Sequence, residues 1–588
     1  MSRIFDRKEF KIKPFKLNGI TLKESFLKRQ YDETRNLYVN IPNNDLLKGF
    51  RERVNKPAPG KDLGGWYSGT YGHVFGRILG SFARMYRAKG DMEVKQKVEY
   101  LLEEWAKCIE DNGYCFYRKP DDYPIPEVLG IQFQDEYHKL LFGLLDVYEY
   151  ADLNNAAKYA EKITSWAINE MSRDLFQCEG YKLSEVLYRA YFFTDDVKYR
   201  DLARAYHYTQ FWDNFLKGDM WDDLSRGKSA LLGKHVFSHV DSLNGAVLAS
   251  IETGDEKYLQ MAINAANLIR NNHIYATGLF GPHEHFTTNM IKTIECDEWG
   301  NSEISCNTWA MNKLLKYLMC ITKDSRYGDW IEKQIYNGVG AQPPVTSDGM
   351  VMYFGRYFLG GAEKNYNGSG PFPNGMIHAW TCCAGSFPLN ITEYYDMIYF
   401  KDDDSLYVNL FVPSSIKWQK DGANIEIEQS TDYPSNGNIK LKVKVDKPVQ
   451  FGIKIRIPEW VNGLVGFQLD GEERKVEANS GRWAEFKNRW DKESYLDISI
   501  PLNLCFMPID LKNPNVCALN YGNITLASDI SGPLQGSILH PSSWIIIEKE
   551  KPLTFRVEGQ WFKRYFRPYY ELKIGERYFM YNYIDEKL

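Results

Sequence analysis

Residues 88–109 read AKGDMEVKQKVEYLLEEWAKCI, and this stretch sets the reading of the N-terminal part of the chain. From Val94 to Trp105 the apolar residues recur three and four apart, which places them on one face of a helix. Asp91 stands just ahead, where a carboxylate accepts from the free amides of a helix's first turn. Similar lead-ins return as FTDDVKY from 193, ETGDEKY from 252 and TKDSRYG from 322. The same periodicity runs through NAAKYAEKITSWAINEM (155–171) and EKYLQMAINAANLIRNNH (256–273). Recurrence at roughly 60 to 100 residues, with further helices between, predicts stacked helical hairpins. Six hairpins closed in a ring make an (α/α)6 barrel with loops of variable length at its open end. A helical solenoid is the alternative, and its repeats are shorter and more regular.

Near residue 400 the pattern changes to alternation with a period of two. SLYVNLFVPSSIKW (405–418), NIKLKVKVDKPVQFGIKIRI (438–457) and SYLDISIPL (494–502) read as strands, with turn signals at Asn436-Gly437, Asp470-Gly471 and Gly522-Asn523. The expected organisation is a barrel over 21–400, a β-sandwich over 401–510, and a second sandwich or its continuation over 511–588. The alternating FKIKPFKL segment within residues 1–20 is expected to add a strand to the β region.

With 588 residues the chain exceeds one compact core, so roughly two to four domains are expected. A net charge of −5 gives no basic footprint for nucleic acid. No apolar run is long enough to span a membrane, and the charged N-terminus lacks the apolar stretch of a signal peptide. The expected location is cytoplasmic as written, or periplasmic or secreted if a leader was trimmed. Ten cysteines without even spacing read as reduced thiols. Aromatic residues make up 15% of the chain, a surplus suited to stacking on the C–H faces of sugars and also to large cores.

Chemistry concentrates between 273 and 386. Cys382 and Cys383 are adjacent in HAWTCCAGSFPLN, and disulfide geometry does not favour a bridge between neighbours. Together they can bind one metal, and a third thiolate with a carboxylate would complete a tetrahedral zinc site. The plainer reading is a pair of small buried residues. Glu284, between His283 and His285 in ATGLFGPHEHF, suits general acid/base work if its surroundings raise its pKa; a solvated loop glutamate is the alternative. The His-Glu-His triplet also allows a metal at that loop.

Motifs from end to end resemble the β-L-arabinofuranosidases of glycoside hydrolase families 127 and 146, with a texture closer to the 146 branch. They include LGGWYSGTYGHVFGRILGSFARMYRAKGD (63–91), YHKLLFGLLDVYEY (137–150), GKHVFSHVDSLNGAVLASIETGD (233–255), SCNTWAMNKLLKYL (305–318), YFKDDDSLYVNLFVPSSIKW (399–418) and ERYFMYNY (576–583). The resemblance implies an (α/α)6 barrel followed by β-sandwich domains and a Zn2+ ion held by three cysteines and a glutamate. It implies Cys382 as nucleophile, Cys306 and Cys383 as the other thiolate ligands, and Glu284 as acid/base, with His283 where the family has glycine. It implies contacts to the bound furanose from His138, His235 and Tyr353, with His73 and Trp66 lining the same mouth. A lone histidine on an apolar helix is otherwise more often a satisfied core residue. Glu185 is a further family-like position, for which helix packing is an equal explanation.

One departure concerns the fourth metal ligand. The family reads E-T-C, whereas here Glu303-Ile304-Ser305-Cys306 separates glutamate and cysteine by three residues. At a helix start, residues three apart share a face, so Glu303 is the expected ligand, with Glu295 and Asp297 as substitutes. The implied activity is retaining exo-hydrolysis that releases L-arabinofuranose from a plant-type oligosaccharide or glycan, with no nucleic-acid or membrane partner. The oligomeric state, the linkage and the exact sugar stay open. Two alternatives remain at this stage: an enzyme of the same scaffold acting on another plant-type sugar, including a lyase using Tyr and His, or a non-catalytic glycan-binding protein with a structural zinc.

Overall fold

The computed structural model describes residues 3–67, 72, 74–117, 126–216, 229–296, 300–366, 379–560 and 562–586, with side chains left out at 126–132 and 177–178. Among the described residues, twelve helices form the paired rings of its first unit: α1 (Phe26–Val39), α2 (Phe75–Lys89), α3 (Met92–Ala106), α4 (Pro126–Tyr150), α5 (Asn155–Glu170), α6 (Leu183–Thr194), α7 (Val197–Ala205), α8 (Val236–Thr253), α9 (Glu256–Asn272), α10 (Ser305–Thr322), α11 (Arg326–Asn337) and α12 (Cys382–Ile398), with Asn43–Arg53, Thr209–Trp212 and Met290–Glu295 as further helices in the loops between them. The even-numbered helices touch in the closed order α2, α4, α6, α8, α10, α12 and back to α2. Each odd-numbered helix lies outside an inner one: α3 on α2, α5 on α4, α7 on α6, α9 on α8, α11 on α10, and α1 on α12. This is the (α/α)6 barrel.

The repeated lead-ins are the turns from inner to outer helix. Gly90, Asp195, Gly254 and Lys323 end α2, α6, α8 and α10 in the left-handed conformation. The following Asp91, Asp196 and Asp255 cap α3, α7 and α9 by accepting from backbone amides, which stabilises each helix by about 1 kcal/mol. At the fourth turn Ser325 takes the cap position without a side-chain bond, and Asp324 accepts from the Arg326 amide instead. Since these turns are short, every long loop falls at the opposite end, where the inner helices begin. The six inner N-termini therefore face the loop-rich mouth.

Alternating strands make a two-sheet sandwich. Its five-stranded sheet orders 13–14, 399–401, 405–408, 449–457 and 482–490; its seven-stranded sheet orders 472–473, 466–469, 494–499, 438–445, 423–431, 414–420 and 20–22. The N-terminal segment thus gives one strand to each sheet. Trp418 of one sheet meets Phe451 of the other edge to face, with ring centroids 5.5 Å apart.

The C-terminal residues form one further eight-stranded sheet, and its first strand, Leu504–Pro508, starts ahead of residue 511. Tyr581 from this sheet and Met580 just ahead of its strand share a separate core with Tyr275, Leu279, Ile304 and Met352. Those four residues belong to the mouth loops, so the last sheet braces the segments that carry Glu284, Glu303 and Tyr353. Tyr581 also accepts from the Ala276 amide at 2.9 Å.

Candidate active site

Two helix starts and a small ribbon assemble the site. Cys306 lies in the first turn of α10, and Cys382 and Cys383 open α12. Both N-termini bring a partial positive charge that favours thiolates. Glu303 is in the strand Ser302–Glu303, which pairs with Phe354–Gly355. The next amide, of Ile304, donates to the Tyr353 carbonyl at 3.0 Å, and the Glu303 amide donates to the Gly281 carbonyl at 3.3 Å. Strand, ribbon and the loop of Glu284 are thereby tied together.

The ligand atoms of Glu303, Cys306, Cys382 and Cys383 all lie within 4.8 Å of one another. Cys383 Sγ is 3.6 Å from Glu303 Oε1 and 3.8 Å from Cys306 Sγ. The longer spacing to Cys306 works differently from the expected shared helix face. Glu303 precedes the helix in an extended strand, while Ile304, at the usual ligand position, is buried in the second core. Three thiols and a carboxylate are a donor set suited to tetrahedral Zn2+. Glu303 Oε2, buried with no hydrogen-bond partner, fits a group that a cation would satisfy. Of the four residues, Cys382 alone is not fully buried.

Arg77 on α2 lies beneath the sulfurs with its guanidinium 3.3 Å from Cys306 Sγ, and it also donates to Ser386. Its charge lies against the rings of Phe237 and Trp309, 4.9 and 4.8 Å from their centroids. Burial pushes the Cys306 thiol up, but bonds from Cys382 and Cys383, with the Arg77 charge and Ser386, bring it well below the usual range. The hydrogen bond to Cys306 holds Cys382 well above it, and burial, followed by the Cys306 charge, raises Glu303.

On the open side, Tyr353 places its hydroxyl 3.3 Å from Cys382 Sγ and donates to Glu284 Oε1. His283 and Glu284 both adopt positive φ, 53° and 64°, strained for residues with a Cβ. The loop is stapled in this shape: His285 bridges His235, and the Phe286 amide donates to the Lys234 carbonyl at 3.0 Å. His235 Nε2 consequently lies 3.7 Å from Glu284 Oε2. The opposite ring nitrogen is 3.0 Å from Glu179 Oε1. Burial pulls His235 down, yet Glu179 and then Glu284 hold it well above the usual histidine range.

Trp66 is half-buried, and its amide donates to the Ala379 carbonyl at 3.0 Å, just ahead of Cys382. His73 lies outside the described residues. His138 is not brought to this group. It is fully buried inside the barrel, with Nε2 3.1 Å from Asp241, and burial lowers its pKa against the pull of that carboxylate. His138, Glu185 and Asp241 form a second cluster of metal-ligand type, but Lys313 supplies its cation, 2.7 Å from Asp241 and 3.2 Å from Glu185.

Sequence reasoning missed Arg77, Glu179, Lys182 and Ser386. A single arginine inside the apolar run FGRILGSF, and opposite charges three apart in EGYK, were the available signals.

A ring of paired helices with a thiol-and-carboxylate centre at its mouth defines an (α/α)6-barrel enzyme. The family profile described as the β-L-arabinofuranosidase GH127 catalytic domain matches residues 19–396, and that of the GH127 middle domain matches residues 405–502. The chain belongs to glycoside hydrolase family 127 and is a glycoside hydrolase. Its fold is similar to that of a solved GH127 β-arabinofuranosidase, with TM-score 0.76, 17% identity and coverage of 98% of both chains. It is also similar to a GH127 β-L-arabinofuranosidase from Geobacillus stearothermophilus T6, with TM-score 0.72, 17% identity and coverage of 97% of this chain and 100% of the other. No curated protein sequence matches. No helix among the described residues is long and apolar enough to cross a membrane.

Proposed function

We propose that this glycoside hydrolase releases L-arabinofuranose from β-L-arabinofuranosides of plant-type glycans by a retaining mechanism, with Cys382 as nucleophile and Glu284 as acid/base. The observation that carries the reading is the Tyr353 hydroxyl, which touches both the sulfur of the partly exposed Cys382 and the Glu284 carboxylate. Two groups bridged by one hydroxyl are at most about 6 Å apart, near the ~5–5.5 Å of retaining enzymes and short of the ~6.5–9.5 Å typical of inverting ones.

Cys382 attacks the anomeric carbon as a thiolate while protonated Glu284 gives its proton to the departing oxygen. Glu284, now a carboxylate, takes a proton from water; the hydroxide attacks the anomeric carbon and the Cys382 sulfur leaves. The two displacements restore the starting configuration. Glu303, Cys306, Cys382 and Cys383 would hold Zn2+, which keeps its thiols deprotonated when bound. Ser386 and Arg77 orient Cys306, so that the sulfur facing the sugar remains Cys382.

A structural metal site in a glycan-binding protein is the second reading, and the partial exposure of Cys382 speaks against it. Hydrolysis of p-nitrophenyl β-L-arabinofuranoside by wild type and Cys382→Ala, with zinc measured on both, separates the two. The proposal expects activity in the wild type and none in a folded variant. A folded, zinc-loaded wild type that leaves this substrate intact would overturn the sugar assignment. Equal activity in the variant would overturn the nucleophile.

A further inference from the structure

Glu179 stands apart from the residues singled out for chemistry, yet its side chain reaches the acid/base group through one intermediary. It lies in the 3-10 segment Gln177–Lys182 ahead of α6, with φ of 58°. A residue with a Cβ holds that conformation only where its surroundings impose it. Both carboxylate oxygens have cationic partners: Oε2 is 2.9 Å from Lys182 Nζ, and Oε1 is 3.0 Å from His235 Nδ1. Lys182, its side chain 1% exposed, is held in turn by Asp135 at 2.5 Å. At the far side of the imidazole, Nε2 and Glu284 Oε2 are 3.7 Å apart, too far for a hydrogen bond. A sugar hydroxyl placed at that gap can accept from Nε2 and donate to Glu284.

We propose that Glu179, anchored by Lys182, is a positioning residue of the hydrolase: it fixes the His235 ring with Nδ1–H toward itself and Nε2–H toward the gap beside Glu284, so that His235 is a standing donor to a substrate hydroxyl. This rests on the retaining reading given above, in which Glu284 is the acid/base.

At Nδ1 the Ser238 amide also approaches, at 3.4 Å, and Glu179 is the nearer and the charged partner there. From the loop, His285 faces the ring at 5.7 Å between centroids; on its own helix, the Ser238 hydroxyl is 2.9 Å from Nδ1 and His239 binds the His235 carbonyl. None of these is anionic. The negative charge that opposes burial comes from Glu179 first and Glu284 second, and it raises the ring above the usual histidine range.

The test is a histidine NMR titration of the full-length, zinc-loaded protein from pH 5.5 to 9. The His235 signal is assigned by its loss in His235→Gln. The wild-type ring is expected to titrate well above an ordinary histidine, and Glu179→Gln to lower that titration markedly, since burial then opposes the Glu284 charge alone. With p-nitrophenyl β-L-arabinofuranoside, the Gln variant should lose about 10- to 100-fold in kcat/KM at pH 8 and far less at pH 5.5. Identical titrations in wild type and variant would overturn the proposal, and so would a shifted titration with an unchanged pH–rate profile. Failure of the folded wild type to hydrolyse the substrate would count against the proposed sugar, while the titration still decides the role of Glu179. If the Gln variant does not fold, Glu179→Asp keeps the charge and moves it by one methylene. It should lower kcat/KM with His235 still charged, and unchanged kinetics would overturn the proposal.

Discussion

The hydroxyl of Tyr353 lies 3.3 Å from Cys382 Sγ and donates to Glu284, so one phenol joins the two groups that the proposed reaction needs. Its backbone is fixed by the ribbon that also holds Glu303. Geometry at Cys382, Glu284 and Glu303 is therefore set in one place.

Tyr353→Phe removes that hydroxyl and leaves the ring in its pocket. Steady-state kinetics should show kcat lower by about 100-fold, the scale of a lost proton-handling contact, with zinc content unchanged. A change under threefold would contradict the arrangement.

Arg77→Met takes away the buried cation beside Cys306 while keeping most of the volume between Phe237 and Trp309. Partners of this kind orient metal ligands, and their loss typically costs about 10- to 100-fold in metal affinity. Competition with a chromophoric chelator measures that loss directly. Retention of zinc at wild-type affinity would show that Arg77 has only a packing role.

Much of this architecture is legible in the chain because its determinants are local. The aspartates 91, 196 and 255 mark inner-to-outer turns since a helix start needs an acceptor within a few residues. The strands 423–431, 438–445 and 494–499 alternate because one face of each is buried. Glu303 is harder to place: its three-residue spacing suggests a helix face, whereas a two-residue strand carries it to Cys383. Glu179, Lys182 and Arg77 are not local at all. They come from two segments that only the closing of the ring sets beside Glu284 and Cys306. His138 shows the reverse case, a histidine in a site-like motif whose helix turns it into the barrel interior.

Arg456, fully buried on a sandwich strand, pairs with Asp329 and Glu332 of α11 and donates to the Asn409 carbonyl at 2.6 Å. Arg456→Met strands two carboxylates in the interface and should cost about 3–5 kcal/mol in denaturant unfolding. The loss depends on pH with a definite sign. Burial pushes Asp329 up to about 7, against the pull of Arg456, so it binds its proton in the folded state more readily than in the unfolded chain. Such a group contributes stability below its unfolded pKa, and the contribution is lost as pH rises through about 7. Without Arg456 that effect grows, and the destabilisation should be smaller at pH 5 than at pH 8. A loss independent of pH would contradict it.

The most direct test of the account is to trap the glycosyl group on the enzyme. Zinc-loaded protein is incubated with a 2-deoxy-2-fluoro-β-L-arabinofuranosyl donor bearing a good leaving group, and the labelled peptide is located by mass spectrometry. The account predicts one fluoro-arabinofuranosyl adduct, on Cys382, accumulating as activity is lost. An adduct on Glu284 or any other residue, or hydrolysis of the donor by Cys382→Ala at the wild-type rate, would contradict the claim that this sulfur is the nucleophile.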